Sequence, residues 1–382
     1  MSTMDLVATC ALGLEEFLEA ELRELGMLSI ESRRAAVAFR GDWPDVWRTN
    51  YRLRTANRVL LRLGTWNGHD GDALAAGARN LVRRRGRSWG GVDAGTLFRP
   101  HQTVSLRATS SASKLRDVRW IALRVKDGLV DGQRDRYGSR SDIARDDPDL
   151  SLRVWLHKNQ ATLLLDTSGA PLDRRGYRLE TVAAPLRETL AAAAVLAAGW
   201  NGEGPVVDPM CGSGTLLAEA AAIALGTPPG RSRQRWPFQR LPSFDPGPFA
   251  ALRQEPLEAP GRKLALFGID REPAAIAAAH SNLERAGCLS SAALEIGDGY
   301  RFEPPAGPGL VLVNPAYGER LAEGRDQWRR LGDLLKNRYR GWRAVVVAGG
   351  ESLGKTIGLR PKRRIPIRNG PLEARVLVFD LY

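Results

Sequence analysis

The strongest chemical signal lies in the segment Val206-Val207-Asp208-Pro209-Met210-Cys211-Gly212-Ser213-Gly214-Thr215. An apolar strand ends in a carboxylate, and two glycines then turn the chain into a helix. Such a turn brings bare backbone against a ligand at the carboxyl end of a parallel strand. The segment is not a P-loop, because no Gly-Lys-Ser/Thr follows. It also lacks the third glycine of the usual dinucleotide-binding turn, since Leu217 stands there. For the glycine pair alone, the alternative is a tight turn without a ligand.

Two further predicted strands also end at acidic residues. The stretch 266–270 ends in Asp270, a carboxylate that can accept both hydroxyls of a ribose. The stretch 295–299 contains Asp298, whose position suits an adenine amino group. Each acid has a structural alternative: Asp270 can cap the helix that Pro273 begins, and Asp298 can be an ordinary turn residue.

A fourth apolar strand delivers Asn314-Pro315-Ala316-Tyr317. An Asn side-chain carbonyl and the following backbone carbonyl can accept two hydrogen bonds from one planar exocyclic amine. Tyr317 can stack on a base, and Pro315 fixes the local backbone without a competing N–H group. This pattern suits methyl transfer to an amino nitrogen, and the alternative is an Asn-Pro turn after a strand.

In this order, the four elements resemble the motifs of class I S-adenosylmethionine-dependent methyltransferases that methylate amino groups. Residues 8–16, 52–60, 123–127, 165–169 and 175–178 also resemble segments of the THUMP-domain RNA methyltransferases. Within that family the chain is most similar to the bacterial 23S rRNA guanine-N2 methyltransferases, nearly end to end. The resemblance implies a ferredoxin-like unit, a THUMP domain and a Rossmann-like catalytic domain.

The resemblance also implies a role for each matching residue. Asn314, Pro315 and Tyr317 would be catalytic and present the guanine amine. The implied cofactor is S-adenosyl-L-methionine, and the residues that would hold it are Thr189, Asp208, Pro209, Gly212, Gly214, Thr215, Asp270, Asp298 and Asn314. The family usually reads Asn-Pro-Pro-Tyr, whereas this chain has Ala316. Both carbonyl acceptors remain, so we expect activity to be retained with a less pre-organised loop.

The elements that must position these residues change character along the chain. The resemblance implies an N-terminal ferredoxin-like domain in residues 1–65, a THUMP RNA-binding domain in residues 66–166, and a Rossmann-like methyltransferase domain in residues 167–382. From residue 187 onward, helices alternate with almost wholly apolar strands, which predicts a mostly parallel, doubly wound sheet. The fold class is therefore α/β.

Residues 226–262, rich in Pro and Arg, interrupt the catalytic domain. This segment is either an RNA contact or a solvated loop, and the side chains concerned are Arg231, Arg233, Arg235 and Trp236.

The chain has 382 residues with 56 Lys and Arg against 43 Asp and Glu, a net charge of +13, and only 7 of the basic residues are Lys. Codon usage in a GC-rich genome is one explanation, and a polyanionic partner is the other. The basic excess is concentrated in residues 76–165 and 325–368, which favours a nucleic acid partner. We expect the THUMP domain to bind RNA, although any one of these side chains can be ordinary surface: Arg83, Arg84, Arg85, Lys114, Arg116 and Arg119.

Several classes of protein are disfavoured. The 3 cysteines are scattered and no histidine has a metal-ligand spacing, so we expect neither a disulfide scaffold nor a metal site. The most apolar stretch, 190–200, is far shorter than the ~20 residues that cross a bilayer. The N-terminus lacks the basic start of a signal peptide. We therefore expect a cytoplasmic protein with no membrane partner. We also expect a monomer, although the sequence does not fix the oligomeric state.

Three functions remain open from the sequence. The first is guanine-N2 methylation of 23S rRNA, the second is the same reaction on tRNA, and the third is a non-catalytic RNA-binding role in ribosome assembly. A DNA adenine-N6 methyltransferase shares the Asn-Pro-x-Tyr chemistry, but the N-terminal resemblance disfavours it. Cofactor binding separates the third function from the first two, and the substrate RNA separates the first from the second.

Overall fold

The computed structural model describes residues 3–84, 90–179, 186–259, 261–315, 321–349, 355–370 and 372–382. The strands form two seven-stranded sheets, one from each half of the chain. The observed class is α/β, with a Rossmann-like sheet after a mixed sheet, as the sequence predicts.

The first sheet contains the strands β1 (Met4–Cys10), β2 (Leu28–Arg33), β3 (Ala36–Gly41), β4 (Ala56–Asn67), β5 (Val104–Ser111), β6 (Leu150–His157) and β7 (Gln160–Asp166). Its order is β2-β3-β1-β4-β7-β6-β5, and only the β5–β6 pair is parallel. The accompanying helices are α1 (Glu15–Glu24), α2 (Trp43–Arg52), α3 (Gly71–Arg83), α4 (Ala94–Leu97) and α5 (Val118–Tyr137).

The two faces of the first sheet differ. Leu6, Leu61 and Leu163 point to the helices and belong to the main core. The alternate residues Leu60 and Leu164 belong to a small separate cluster on the opposite face. Because side chains alternate along a strand, this second face carries every other residue of each strand.

Strand β4 joins the two N-terminal units. It pairs with β1 on one side and with β7 on the other, so the sheet is continuous across both units. The predicted boundary between residues 65 and 66 falls within β4. Both that boundary and the one between residues 166 and 167 remain predictions.

The second half contains α6 (Glu188–Ala198), β8 (Val206–Asp208), α7 (Thr215–Ala224), α8 (Pro246–Gln254), β9 (Leu266–Asp270), α9 (Pro273–Arg285), β10 (Ala292–Ile296), β11 (Leu310–Val313), α10 (Leu321–Arg338), β12 (Arg343–Gly349), β13 (Arg363–Asn369) and β14 (Leu372–Asp380), with short 3-10 turns at Pro237–Arg240 and Leu289–Ser291. The strand order is β10-β9-β8-β11-β12-β14-β13. The first five strands are parallel, and β14 runs antiparallel to both of its neighbours. This parallel run confirms the doubly wound sheet.

The inserted segment, residues 226–262, is packed against the N-terminal half. Trp236 is only 3% exposed and stacks on Phe238, with ring centroids 5.5 Å apart. Phe238 packs edge-on against Phe249, and Phe244 reaches Trp47 of α2 at 5.3 Å. Both expectations for Trp236, RNA contact and solvated loop, are therefore wrong, because its indole belongs to an apolar contact between the two halves.

Arginines of the same segment reinforce this contact. Arg233 donates from Nη2 to the backbone oxygen of Ser168 at 2.7 Å, and Arg240 pairs with Asp147 at 2.7 Å. Arg231 and Arg235 remain exposed.

Within the described ranges, no helix is long and apolar enough to span a bilayer. A search of the same residues finds no group of three or more His, Cys, Asp or Glu side chains that could hold a metal ion. The cysteines Cys10, Cys211 and Cys288 are buried and not disulfide-bonded.

Replacing Trp236 with Ala is expected to lower the free energy of unfolding by about 3–5 kcal/mol, because a large aromatic side chain is removed from a close-packed cluster. Urea unfolding followed by tryptophan fluorescence and by circular dichroism measures the change. The neighbouring exposed Arg235, replaced with Ala, is the control and should change stability little. Similar losses in both variants would contradict the buried packing role.

Candidate active site

The candidate site lies at the carboxyl edge of the parallel strands. Asp208 is the last residue of β8, Asp270 is the last residue of β9, and Asn314 follows β11 directly. Asp298 lies two residues beyond β10. Because these strands are parallel neighbours, the structure brings all four side-chain positions to one edge of the sheet.

The glycine turn after β8 is attached to the end of β9. The backbone N of Gly212 donates to Asp270 Oδ2 at 2.9 Å, and the N of Cys211 donates to the oxygen of Ile269 at 3.0 Å. Gly212 and Gly214 have φ angles of 51° and 77°, which lie in the left-handed region that glycine adopts without strain. The turn therefore needs glycine at both positions and passes over the end of the neighbouring strand.

Asp270 acts at two places. Its Oδ1 accepts a hydrogen bond from the N of Glu272 at 3.1 Å, at the start of α9, while Oδ2 holds Gly212. The capping role weighed from the sequence is wrong, because the N-cap of α9 is Glu272 and Oδ1 of Asp270 binds only the N–H group of that residue, ahead of the helix. Each carboxylate oxygen keeps a further lone pair, so the same group can also accept a hydroxyl hydrogen bond.

Asp208 is a buried carboxyl group that accepts one hydrogen bond, from the N of Met210 at 3.1 Å. Burial raises the pKa of Asp208 to about 8, and the negative charge of Asp270 adds to this rise, while the bond from Met210 opposes it. Burial also raises the pKa of Tyr339, and the charge of Asp208 adds to that shift as well. The site therefore contains a carboxyl group that would be stabilised as an anion by a cationic ligand.

Asp298 has a different environment. Burial by itself favours a higher pKa for Asp298. A hydrogen bond from Arg271, a hydrogen bond from the N of Tyr300 and the charge of Arg271 outweigh burial, so the pKa of Asp298 is lowered. Both bonds engage Oδ1, at 2.8 Å from Arg271 and 3.1 Å from Tyr300. The following residue, Gly299, lies against Pro209, and a Cβ there would be 1.8 Å from the Pro209 oxygen. The loops after β8 and β10 therefore touch, and Gly299 permits the contact.

The start of α6 carries two buried polar side chains. Glu188 pairs with Arg178 at 3.0 Å, and Arg178 also donates to the oxygen of Leu186 at 2.7 Å. Burial raises the pKa of Glu188 to about 7, with Arg178 opposing the rise. Thr189 is fully buried, and its Oγ1 has no hydrogen-bond partner among the described residues. A buried hydroxyl without a partner is costly, and a bound ligand can satisfy it.

Glu219 of α7 is a buried acid that the sequence analysis missed. Its Oε1 accepts from the hydroxyl of Tyr177 at 2.9 Å and lies 3.5 Å from Arg175. The sequence did contain a signal, because Glu219 is the sole charged residue in the apolar run of α7. These bonds attach the segment before α6 to the helix that follows the glycine turn.

The remaining predicted site residues are placed as follows. Thr215 is the buried first residue of α7, and Pro209 and Pro315 are also buried. Asn314 is half-buried. Tyr317, together with Ala316, lies outside the described residues.

The structure does not bring the predicted RNA-binding residues together. Helices α3 and α5 are parallel, since Arg124 contacts the oxygen of Gly71 near their starts and Arg136 contacts that of Val82 near their ends. Lys114, Arg116 and Arg119 lie at or before the start of α5, whereas Arg83 and Arg84 lie at its far end. A helix of 20 residues separates the two groups by about 30 Å. Arg85 lies outside the described residues.

Comparison with known families covers most of the chain. A model described as the RMKL-like methyltransferase domain matches residues 175–377. The RlmL ferredoxin-like domain matches residues 5–60, and the THUMP domain matches residues 91–166.

Two curated relatives cover nearly the whole chain. A putative RNA methyltransferase of Synechocystis sp. is 37% identical and is matched over 100% of this chain and 98% of its own length. A ribosomal RNA large subunit methyltransferase K/L of Syntrophotalea carbinolica is 38% identical over 98% of this chain. The present chain spans about half of that relative, 53% of its length.

Among solved structures, a putative methyltransferase complexed with SAH superposes with a TM-score of 0.87 at 25% identity. The match covers 100% of this chain and 99% of that structure. The N-terminal sheet and the catalytic sheet are therefore both present in this solved relative.

Replacing Asp208 with Asn is expected to flatten the dependence of stability on pH. The folded pKa of about 8 lies above the ordinary 3.8, so the folded chain retains a proton that the unfolded chain has released. The contribution of this group is fully present below about pH 4 and is lost as pH rises to about 8. Urea unfolding at several pH values within this interval measures the effect.

The Asn variant should lose less stability across that interval than the unchanged chain. Glu272 is exposed in the adjoining loop, and its replacement with Gln is the matched control. An unchanged slope in the Asp208 variant would contradict the buried, protonated carboxyl group.

Proposed function

This chain belongs to the RMKL-like methyltransferase family, and we propose that it transfers a methyl group to the exocyclic N2 of a guanosine in 23S rRNA. The class of enzyme is established by the family: it is an S-adenosylmethionine-dependent methyltransferase with a THUMP domain. The rRNA substrate is supported by the names of the K/L relatives. The observation that carries the amine chemistry is the position of Asn314-Pro315 at the strand edge, next to the end of β8, whose other neighbour is β9.

The residues at this edge fit S-adenosylmethionine. The buried carboxyl of Asp208 suits a cationic amino group, and the Oγ1 of Thr189 lacks a partner that a bound ligand could supply. Asp270, whose oxygens have spare lone pairs, would hold the ribose hydroxyls, and Asp298 would accept from the adenine amine. Gly212 and Gly214 would line the cofactor together with Pro209 and Thr215, which adjoin the same turn.

When bound, S-adenosylmethionine supplies an electrophilic methyl group that is already activated by its sulfonium. The guanine N2 is a weak nucleophile, because its lone pair is delocalised into the ring. Acceptance of its two N–H hydrogen bonds by the Asn314 side chain and the Pro315 carbonyl favours a more tetrahedral nitrogen. These bonds strengthen as positive charge develops on N2, so they stabilise the transition state more than the ground state.

Positioning is the other contribution of the chain. Holding the amine in line with the methyl group can supply about 7–11 kcal/mol of the barrier reduction. Tyr317 would stack on the target base, which must leave its own stack to enter the site at a cost of a few kcal/mol. The proton on N2 leaves late, to Asn314 or to water, so no strong general base is needed.

The proposed function also bears on the partner, location and oligomeric state of the protein. We infer that the protein acts on RNA in the cytoplasm as a monomer, with the THUMP-containing half holding the RNA by shape and phosphates. No metal ion takes part in this mechanism.

Replacing Asn314 with Ala is expected to lower the methylation rate about 100-fold or more, by analogy with removal of one transition-state hydrogen bond. The assay uses labelled S-adenosylmethionine with rRNA and tRNA from a strain that lacks this protein, followed by digestion to nucleosides. For the unchanged chain, label should appear in N2-methylguanosine from 23S rRNA.

Asn337, exposed on α10, is the matched control when replaced with Ala, and it should retain full activity. Calorimetry should show that both variants are folded. Label in tRNA alone would move the proposed substrate to tRNA. Absence of label in both RNA pools, with the cofactor shown to bind, would contradict the proposed reaction.

A further inference from the structure

The face of the first sheet that is turned away from the helices carries a row of arginines. Arg107 on β5 is directly opposite Arg153 on β6, and both alternate with core residues of their strands. Asp166 ends β7 and is paired in register with Leu60 of β4, two residues from Arg58. The row therefore crosses four neighbouring strands, about 4.8 Å apart from one strand to the next.

Arg58 and Arg153 converge on one buried carboxylate, that of Asp166. Asp166 Oδ2 accepts from Nη1 of Arg58 at 2.5 Å and from Nε of Arg153 at 3.0 Å. Arg58 also donates to the oxygen of Gly169, in the connector after β7. Arg233 reaches the same place from the inserted segment and donates to the oxygen of Ser168 at 2.7 Å. The catalytic half of the chain thus contributes a further arginine to the cluster.

The cluster has more positive than negative charge. Burial lowers the pKa of Arg58. The charge and hydrogen bond of Asp166 oppose this decrease, whereas the positive charges of Arg153 and Arg107 add to it. Burial also lowers the pKa of Arg233 to about 10, with Asp166 opposing and Arg58 adding. Three guanidinium groups, those of Arg58, Arg153 and Arg233, therefore interact with a single carboxylate, and Arg107 adds a fourth positive charge beside Arg58. Another anion would stabilise this arrangement.

Arg107 differs from the other arginines of the row in its contacts. It is exposed, and in the described part of the chain it has no hydrogen-bond or ion-pair partner. Arg58 and Arg153, in contrast, are engaged with Asp166 and the connector. Contacts within the protein therefore account for the presence of Arg58 and Arg153 on this face, but they do not account for Arg107.

We propose that this helix-free face of the first sheet binds the phosphate backbone of the substrate RNA through Arg107, Arg153 and Arg58, with Arg233 completing the site. The planar guanidinium groups match phosphate oxygens in bidentate geometry. Trp155 lies on the same face, two residues after Arg153, and its half-buried ring offers a stacking surface for a base. The inference rests on the proposed function, because RNA is the polyanion that this enzyme class must hold.

This site differs from the one expected from sequence. Arg119 lies on α5, and α5 packs against the other face of the first sheet. If RNA binds to the sheet face, charge reversal at Arg107 weakens RNA binding and charge reversal at Arg119 does not. If RNA binds beside α5, the two effects are exchanged.

Replacing Arg107 with Glu is expected to weaken binding of a fluorescein-labelled, mixed-sequence RNA oligonucleotide and of purified 23S rRNA about 10-fold. The slope of log K against log salt concentration should also decrease by about 0.7–0.9, because one phosphate contact is lost. Arg119→Glu is the matched charge reversal and should leave both quantities almost unchanged. Melting temperature and S-adenosylmethionine affinity are measured for every variant and should equal those of the unchanged chain.

The outcomes separate this proposal from the methylation reaction. Weaker RNA binding by the Arg119→Glu variant, together with normal RNA binding by the Arg107→Glu variant, would refute the proposed RNA site on the sheet face. Normal rRNA methylation and normal RNA affinity in Arg107→Glu would also overturn it while leaving the proposed function in place. RNA binding that depends on Arg107, in a chain that methylates no guanosine, would support the site and refute the function. The milder Arg107→Ala variant should show the same direction with a smaller change, and its failure to do so would count against a phosphate contact.

Discussion

The hydrogen bond from the Gly212 backbone to the Asp270 carboxylate is the contact on which the geometry of the candidate active site depends. It attaches the turn after β8 to the end of β9, and the second Asp270 oxygen accepts from the N of Glu272, the residue that precedes α9. One carboxylate therefore sets the spacing of a loop and a helix. The left-handed backbone of Gly212 and Gly214, and the contact of Gly299 with Pro209, allow the three loops to lie close enough for a single ligand to touch them.

Around this contact, the catalytic half buries several carboxyl groups, and their partners differ. Glu188 is bonded to Arg178, and Glu219 to Tyr177 and Arg175, so those two serve to hold α6 and α7 in place. Asp208 has no such cation: among the described residues, the one charge that acts on its pKa is the neighbouring carboxylate Asp270. A buried acid is costly to ionise without a positive partner, and a cationic ligand supplies one. This difference supports the proposed ligand role of Asp208, whereas the partners of Glu188 and Glu219 lie within the protein.

The inserted segment connects this site to the N-terminal sheet. Its Phe244 and Phe249 pack on Trp47 and Tyr51 of α2, and its arginines bond to the connector at Ser168 and to Asp147 near β6. An apolar cluster with polar bonds at its margin is a strong contact, because the rings provide buried area and the bonds fix orientation. RNA held on the first sheet would thus be held relative to the strand edge where Asn314 lies. The continuous sheet formed through β4 extends this support across both N-terminal units.

Local patterns in the sequence were enough to predict the strand-end acids, the glycine turn, the Asn-Pro pair and the α/β order of the domains. Each of these is a local pattern: an apolar run, a turn residue and the polar side chain that follows. It did not reveal β2, whose residues are largely exposed, or β13, a charged edge strand with Pro366, because neither has the apolar alternation of a central strand.

Tertiary structure alone decided which distant residues meet. Trp236 appeared in a segment rich in Pro and Arg, and only its packing on Phe238 shows that it is buried. Arg58, Arg107 and Arg153 are ordinary strand residues until strand register places them in one row on one face. Register and the packing of inserted segments depend on contacts between residues far apart in the chain, and a reading of local periodicity contains no information about those contacts.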